Sequence, residues 1–435
     1  MAVYVYVEHL SAKHGDNAFK KKFQVSTFYN EKYKALLAQF DTLRLNYTYE
    51  FEQYPFSSKI PGMTEGLLKK CLVSSANLKD FKRKAIGIIP NSDLLQLSAI
   101  LYDFQQVYRE LVYQPVKAKF EKQLAEVTEF VKTKNISAYV DKGLFFYKSY
   151  WEESFPFEIA FYPLPYPEGF TAEAFYNTAV SGLRSDNKDY ITLVSVMLHE
   201  IFHMLYDEQP VSVKRNISSW FAANPAPCGT YAYLLLNEAL ATALGNGYVF
   251  NSLAGKADED DWYDRKYIND IAKKIYPLVS DYISQKKPID EAFVNSYIKI
   301  YDENYGNWIN ELDNLMCYRY VLSDNMSDYD VIRNKYRYAS YSQFEDQVNE
   351  YSLAKLQNTK LTKVVIVSKE NEAKLALVKK QFPELKNWKY KAKQEFFYAT
   401  QLDDKTQIII INTLKSSTEK MFEGMVLLPQ QIEKK

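Results

Sequence analysis

The segment Leu198–Tyr206 contains the sequence His-Glu-x-x-His, which places strong limits on the structure around it. On an α-helix, residues four positions apart lie on the same face, so His199 and His203 can direct two imidazoles towards one point. Glu200 follows the first histidine and lies beside that face. The neighbouring residues are mostly apolar, and burying two histidines and a carboxylate among them is costly unless the polar groups have a partner. A bound metal ion is a partner for all three groups.

The alternative interpretation is a core helix whose two histidines are satisfied by hydrogen bonds alone. The chain has only four histidines, and two of them occur here at the spacing of metal ligands. Glu200 also occupies the position from which a carboxylate can act on a metal-bound water. We therefore expect His199 and His203 to bind a metal ion, together with a third protein ligand from elsewhere in the chain.

A second apolar segment, downstream of the first, carries Glu238 as its one acidic residue. An isolated carboxylate on an apolar helix needs a partner, and we expect Glu238 to be the third ligand. Gly245 and Gly247 follow this segment and predict the end of its helix. Asp207, one turn beyond His203, is the alternative third ligand.

This combination of residues resembles the gluzincin branch of the zincin metallopeptidases. In that family, two motif histidines and a glutamate on a following helix bind zinc, and the motif glutamate is the general base. The second motif of the family typically reads N-E-x-x-x-D. Here Asn237 and Glu238 match its first two residues, whereas Thr242 stands where an aspartate often supports a zinc-bound histidine. Thr242 could accept a hydrogen bond in that position.

The resemblance implies one zinc ion per chain, with His199, His203 and Glu238 as ligands. It also implies hydrolysis of a peptide bond by a zinc-bound water that Glu200 activates. The oxyanion formed in that reaction needs a second donor besides the metal. No histidine follows His203 in the chain, so we expect a tyrosine or an arginine in this role. The candidates are Tyr301, Tyr305, Tyr318, Arg319 and Tyr320.

The resemblance and the apolar patterns together predict an α+β protein. We expect a zincin-like catalytic core with a mainly helical C-terminal subdomain, followed by a small α/β domain. The predicted segments are a mixed α/β segment over residues 1–90, the metallopeptidase core over 91–355 and the small domain over 360–435. The active-site helices are expected near 189–208 and 230–245.

Local periodicity predicts individual elements within these segments. Strands are predicted at Val3–Val7, Phe155–Pro163, Ala174–Val180, Lys363–Val367 and Gln407–Ile411. Helices are predicted at Asn30–Leu43, Leu94–Leu111, Val116–Val131, Leu312–Leu322 and Glu372–Phe382.

Prolines at 163, 165 and 167 end the strand predicted at Phe155–Pro163. Proline confines a strand to the edge of a sheet. An edge strand beside the catalytic helix can bind an extended peptide through main-chain hydrogen bonds. The alternative is a strand that only supports the helix.

The overall composition limits the partners that this chain can have. It has 54 basic and 54 acidic residues, which gives no indication of nucleic-acid binding or of an anionic membrane surface. No apolar run is long enough for a transmembrane helix, and the first residues lack the pattern of a signal peptide. The protein is either cytoplasmic or has lost a leader that this sequence does not include. The resemblance favours an extracytoplasmic location, either secreted, periplasmic or surface-anchored.

The remaining cysteines and histidines are expected to be structural. Cys71, Cys228 and Cys317 are far apart and form no C-x-x-C pair, so we expect core residues rather than disulfides or a cysteine zinc site. His9 and His14 are expected to be ordinary histidines, with an N-terminal metal site as the alternative.

Peptide or protein is the expected substrate, and two other functions remain open. One is a zincin-fold binding or scaffold protein that keeps its metal without turnover. The other is a metal-dependent hydrolase of a non-peptide substrate. The presence of Glu200 favours an enzyme, because a purely structural metal site has no use for a general base.

Overall fold

The computed structural model describes residues 1–55, 59, 62–152, 154–165 and 172–423, which form a mixed α+β fold. Contacts divide the chain into two compact units. The first unit contains Met1–Lys214 and Glu238–Ile289, and the second contains Arg215–Asn237 and the described residues from Asp290 onward. Pro167 and residues 424–435, on which we had predictions, lie outside the described residues.

Helices supply the larger part of the first unit. Those before residue 189 are α1 (Ala2–Leu10), α2 (Ala18–Gln24), α3 (Glu31–Thr42), α4 (Thr64–Ser74), α5 (Leu78–Ala85), α6 (Asn91–Tyr108), α7 (Lys117–Thr133) and α8 (Ser137–Tyr147). A π-helical segment (Arg109–Tyr113) and a 3-10 turn (Gln114–Val116) connect α6 to α7. The next helices are α9 (Tyr190–Asp207), α10 (Val211–Ala223), α11 (Gly229–Thr242), α12 (Phe250–Ala254) and α13 (Lys266–Ser284), and the unit boundaries fall within α10 and α11.

Two small sheets complete the first unit. Strands β1 (Thr48–Tyr49) and β2 (Gly62–Met63) form an antiparallel pair. Strands β3 (Glu158–Leu164), β4 (Ala172–Phe175) and β5 (Thr178–Arg184) form a sheet in the order β3-β5-β4. β3 is parallel to β5 and β4 is antiparallel to it. β3 and β4 are therefore the two edge strands, as predicted for the first of them.

The strand predicted at Val3–Val7 is wrong, because these residues belong to α1. Tyr4, Val5, Tyr6 and Val7 are all buried, with at most 3% of their surface exposed. A helix that is covered on every side shows no polar face, so its sequence can alternate without forming a strand. Tertiary packing has here overridden the β propensity of valine and tyrosine.

The single strand predicted at Ala174–Val180 is instead a hairpin. Tyr176 takes the left-handed conformation, with φ of 57°, and turns the chain between β4 and β5. The turn contains neither glycine nor proline, and Asn177 is its one common turn residue, which left only a weak turn signal in the sequence. The consequence is that a short edge strand, β4, lies where we expected the start of a longer one.

The second unit is built around a five-stranded sheet. Its strands are β6 (Tyr318–Ser323), β7 (Tyr341–Glu345), β8 (Thr362–Val367), β9 (Phe396–Gln401) and β10 (Gln407–Asn412), in the order β7-β6-β8-β10-β9. β9 pairs antiparallel with β10, and the other neighbours are parallel. Its remaining helices are α14 (Glu291–Tyr305), α15 (Leu312–Leu315), α16 (Met326–Lys335), α17 (Glu350–Gln357), α18 (Asn371–Gln381) and α19 (Thr418–Phe422), with 3-10 turns at Gly306–Asn310 and Pro383–Asn387.

The helix predicted at Leu312–Leu322 is wrong beyond its first turn. Only α15 is helical there, and the chain then enters β6, in which all six residues are buried. A strand covered on both faces has a continuous apolar sequence, which periodicity cannot distinguish from a buried helix. The predicted small domain over 360–435 therefore supplies only three of the five strands, since β6 and β7 precede it.

Most other predicted elements are confirmed to within a few residues. These are the helices α3, α6, α7 and α18, the strands β3, β8 and β10, the helix near 189–208 and the start of the helix near 230–245. Among the described residues, every helix is too short or too polar to cross a lipid bilayer.

Candidate metal centre

α9 carries both histidines of the motif and is buried along most of its length. Asp189 caps its first turn, since the Asp189 side chain accepts a hydrogen bond from the backbone N–H of Thr192. Met197 and Met204, on one side of the helix, pack with apolar residues of β4. Burial on this side fixes the orientation of α9 about its own axis, and so the direction of His199 and His203.

Glu238 comes to the same place on α11, which does not end where we predicted. Instead of stopping at Gly245 and Gly247, the helix continues as a π-helical segment, Ala243–Val249, and then as α12. Gly245 lies directly against α9, where an added Cβ would be 2.7 Å from the Cβ of His199. A Cβ at Gly247 would be 2.8 Å from the ring of Trp262. The two glycines therefore allow close packing inside a helix, and they are not helix terminators.

The three predicted ligands meet in the structure. The Nε2 atoms of His199 and His203 are 3.0 Å apart. The Oε2 atom of Glu238 is 3.8 Å from the first of these nitrogens and 3.4 Å from the second. Ligand atoms about 2.0–2.2 Å from a tetrahedral zinc ion lie about 3.3–3.5 Å from one another. The observed spacing is compatible with such an ion.

The electrostatics of the cluster also suit a cation. Burial and, to a smaller extent, a positive charge on His203 lower the pKa of His199 to about 3, although the negative charge of Glu238 opposes them. Burial by itself raises the pKa of Glu238, but the two histidines and a hydrogen bond from Tyr263 reverse this and leave it at about 2. The Oε2 atom of Glu238 is buried without a hydrogen bond of normal geometry. A neutral imidazole and an ionised carboxylate are the forms that bind metals.

Glu200 lies beside this cluster and has a strongly perturbed carboxyl group. Burial raises its pKa to about 7, while His203 lowers it and the negative charges of Glu238 and Glu173 raise it. A carboxyl group with a pKa near neutrality can both accept and release a proton at physiological pH. This is the property that a general base requires.

Tyr263 belongs to the site, although sequence reasoning did not find it. Its ring stacks on that of His199, with centroids 6.0 Å apart, and its hydroxyl donates a hydrogen bond to the carboxylate of Glu238. The preceding Trp262 holds it in place, because the Trp262 backbone N–H donates to the side chain of Asn269 at 2.9 Å. Nothing distinguishes Tyr263 from the other 36 tyrosines of the chain except its position in the fold.

Asn246, within the π-helical segment, is the second site residue that the sequence did not reveal. Its side chain lies close to the His199 ring and raises the pKa of that histidine. Thr242, for which we considered this supporting role, is fully buried, and its hydroxyl has no hydrogen-bond partner among the described residues. π-helical turns are frequent at functional sites. Here the π-helical segment contains Asn246, which lies four residues after Thr242, the residue that we expected in the supporting role.

Comparison of the chain with protein-family models, with curated proteins and with solved structures finds no match. The site must therefore be interpreted from its own geometry and chemistry.

Asp207, the alternative third ligand, does not join the cluster. Among the described residues, the one group of three or more potential ligands that could hold a metal is His199, His203 and Glu238. The charged groups that influence Asp207 most strongly are Lys214 and then Lys59. Burial nevertheless raises the pKa of Asp207 above its ordinary value.

The five candidates for the oxyanion donor all belong to the second unit, and their role remains a prediction. Arg319 has a structural role there, since its guanidinium donates to the carbonyls of Met316 and Tyr336, each at 2.9 Å. The hydroxyl of Tyr320 donates to Glu345 at 3.1 Å. Tyr301 and Tyr305 lie on α14, while Tyr318 is a buried residue of β6.

The other two histidines stack on each other, and two of the three cysteines are core residues as we expected. The rings of His9 and His14 stack at 5.1 Å, and His9 Nδ1 is 2.8 Å from the carbonyl oxygen of Val5. The three cysteines form no disulfide, and Cys228 and Cys317 are buried.

Proposed function

We propose that this protein is a zinc-dependent peptidase of the gluzincin type, with a zincin-like core in its first unit. The observation that carries the proposal is the meeting of His199, His203 and Glu238, with Glu200 beside them. Their ligand atoms lie within 4.8 Å of one another although Glu238 is 35 residues beyond His203 in the chain. Burying three such groups together is costly, and a bound metal ion would offset that cost.

Each residue has a distinct part in the proposed reaction. His199, His203 and Glu238 would hold the ion, and Asn246 and Tyr263 would orient His199 and Glu238 respectively. Zinc at this position would polarise the substrate carbonyl and lower the pKa of a water molecule. Glu200 would serve as the general base that accepts a proton from the attacking water and as the acid that returns it to the leaving amine.

The free edge of β4 supports a peptide as the substrate. β4 is the last strand of its sheet and pairs with β5 alone among the described strands. Met197 and Met204 pack with the apolar residues of this strand. Glu200 is three residues after the first methionine and four before the second, so it lies on the same side of α9. An extended peptide that pairs with the free edge of β4 would place a carbonyl close to Glu200.

The decisive experiment measures metal content by elemental analysis in protein purified without added metal. We expect about one zinc per chain in the wild type and a loss of zinc in Glu238→Ala. A Glu200→Gln variant should keep the zinc and lose activity in a peptide-library screen, because only the base has been removed. An exposed control, Glu31→Gln, should keep both properties.

Other outcomes would change the proposal in defined ways. If the wild-type protein contained no zinc and took up none when zinc was added, the proposal of a zinc peptidase would be refuted. Zinc that is retained in Glu238→Ala would move the third ligand to another residue. If the wild type contained one zinc per chain but cleaved no peptide, the result would favour a binding protein or a hydrolase of a non-peptide substrate. The expected location outside the cytoplasm is part of this proposal.

A further inference from the structure

A large cavity lies on the side of α9 opposite to the metal cluster. Its volume is about 640 Å³, within the range of about 300–1,000 Å³ that small-molecule sites have. Its walls come from α7, the start of α8, β3 and α9, all of which belong to the first unit. The α9 wall consists of Val194, Met197, Leu198 and Ile201, which recur at helical spacing on one face.

The lining of the cavity is almost entirely apolar. Aliphatic and aromatic side chains from all four elements form it: Leu124, Val127, Val131, Ile136, Val140, Phe157, Ile159, Ala160, Phe161, Val194, Met197, Leu198 and Ile201. No acidic residue lines it among the described residues. The space between the four elements has room for a slender apolar ligand.

Three polar residues, Thr128, Lys132 and Ser137, lie at the solvent-facing part of the lining, and all three are exposed. Lys132 is the one charged residue of the cavity, and no salt bridge to it occurs among the described residues. Ser137 is the first residue of α8, so the positive end of that helix dipole lies at the same place. The rim therefore favours a single negative charge.

We propose that this cavity binds a free fatty acid, with its alkyl chain between α9 and β3 and its carboxylate at Lys132. The apolar walls exclude a sugar, a nucleotide or a polar peptide, whose hydroxyl and amide groups would be buried without partners. The positive rim selects a carboxylate over a neutral or cationic head group. This site is distinct from the metal centre, and it stands or fails independently of the proposed peptidase activity.

Isothermal titration calorimetry of the full-length protein with octanoate, decanoate and dodecanoate tests this directly. The affinity should rise about fourfold for each added CH₂ group, as long as the lengthened alkyl chain still contacts apolar side chains of the cavity. Dodecyltrimethylammonium, with the same chain and the opposite charge, should bind at least about tenfold more weakly than dodecanoate. Absence of saturable dodecanoate binding would overturn the proposal.

Two pairs of variants locate the ligand. Lys132→Glu should weaken dodecanoate binding about five- to tenfold, whereas Lys119→Glu, an equal charge change at another exposed position of α7, should not. Ile159→Trp fills the cavity from a side chain that is 39% exposed and should weaken binding at least about tenfold, whereas Ile86→Trp at a remote exposed site should not. Thermal melts establish that each variant is folded.

The outcomes that contradict the proposal are equally defined. Equal weakening by both lysine variants would indicate a general charge effect, and equal binding of the cationic detergent would exclude a carboxylate site. Unchanged binding in Ile159→Trp would place the ligand elsewhere on the protein. Glu238→Ala should bind dodecanoate as the wild type does, so loss of the metal and loss of the fatty acid can be separated.

Discussion

Gly245 and His199 pack so closely that a single methyl group would separate them. A Cβ added at Gly245 would lie 2.7 Å from the Cβ of His199 and 2.8 Å from the carbonyl oxygen of Ser195. Real Cβ atoms do not approach other atoms to such distances, so one of the two helical segments would have to move. The contact is therefore part of the arrangement that sets the distance between Glu238 and the two histidines.

Gly245→Ala should weaken zinc binding at least about tenfold and lower the free energy of unfolding by about 1–3 kcal/mol. The added methyl group meets backbone and the base of a side chain, neither of which can rotate away. Competition with a chromogenic zinc chelator measures the affinity, and urea unfolding measures the stability. Gly15→Ala is the control, because no atom lies within 4 Å of the position of its Cβ. Unchanged zinc affinity in Gly245→Ala would contradict the role assigned to this contact.

Asn246→Ala and Thr242→Val should have different effects on the metal site. Removal of the Asn246 side chain takes away the polar group that interacts with the His199 ring, and zinc affinity should fall about 10–100-fold. Thr242→Val changes a buried hydroxyl without a partner into a methyl group, and should leave zinc affinity unchanged. Equal losses in the two variants, by the same chelator assay, would show that Thr242 supports the site after all.

Tyr263→Phe should weaken zinc binding about tenfold while the ring still stacks on His199. The variant removes only the hydroxyl that donates to Glu238, so the carboxylate loses one of the groups that orient it. Tyr102→Phe, at a site that is 70% exposed, controls for the loss of a hydroxyl. If Tyr263→Phe bound zinc as tightly as the wild type does, the role of Tyr263 would be limited to packing against His199.

A second group of charges, in the first unit, predicts a pH dependence of stability. The Nζ atom of Lys69 is 2.8 Å from Glu173, 3.5 Å from Glu65 and 3.6 Å from Glu8. Burial raises the pKa of Glu8 to about 7, although Lys69 opposes this. Tyr4 donates to Glu65 at 2.6 Å. Burial and the nearby carboxylates therefore raise the pKa of Glu8, whereas the pKa of Glu65 is lowered.

Glu8→Gln should stabilise the protein at pH 8 by about 2–3 kcal/mol and have little effect at pH 4.5. Between pH 4.5 and 7 the native state retains a proton that the unfolded chain has lost, so the stability of the wild type falls as the pH rises through this window. Glutamine keeps a donor for Glu65 and cannot ionise. Urea unfolding at several pH values measures the difference, and Glu31→Gln, with an exposed side chain, should show no such window. If Glu8→Gln raised the free energy of unfolding equally at pH 4.5 and at pH 8, this explanation would be contradicted.

Lys214→Met should raise the free energy of unfolding by about 2–4 kcal/mol at pH 7. Lys214 has no exposed surface, and its ammonium has no hydrogen-bond partner among the described residues. Its ammonium lies 4.6 Å from the centre of the Tyr206 ring and is attracted by the charge of Asp207, and these two interactions compensate only in part for its burial.

The gain from Lys214→Met should depend on pH in a defined direction. Burial lowers the pKa of Lys214 to about 7, so from pH 7 to about 10.5 the unfolded chain binds a proton that the native state does not. Stability of the wild type therefore rises over this range, and the advantage of the methionine variant should shrink. Lys119→Met, at an exposed position, is the control. A destabilised Lys214→Met protein would indicate that the ammonium has a partner that is essential for the fold.

The sequence by itself determined the residues that belong to the cluster. His199 and His203 are four apart on a helix, and that spacing requires no knowledge of the rest of the fold. Glu238 could be inferred because a carboxylate on an apolar helix needs a partner. The amphipathic helices α6 and α7 and the apolar strands β8 and β10 were predictable for a similar reason, since their patterns are local.

Only the tertiary structure decided which other residues complete the site. Tyr263 and Asn246 carry no local signal, and they reach the cluster through the packing of Trp262 and through a π-helical turn. Gly245 follows the usual pattern of a helix end, yet it lies inside a helix because another helix needs the space. α1 and β6 were mispredicted because complete burial removes the polar face from which periodicity is read. Local patterns record which groups need partners, whereas packing between distant segments decides which partners they meet.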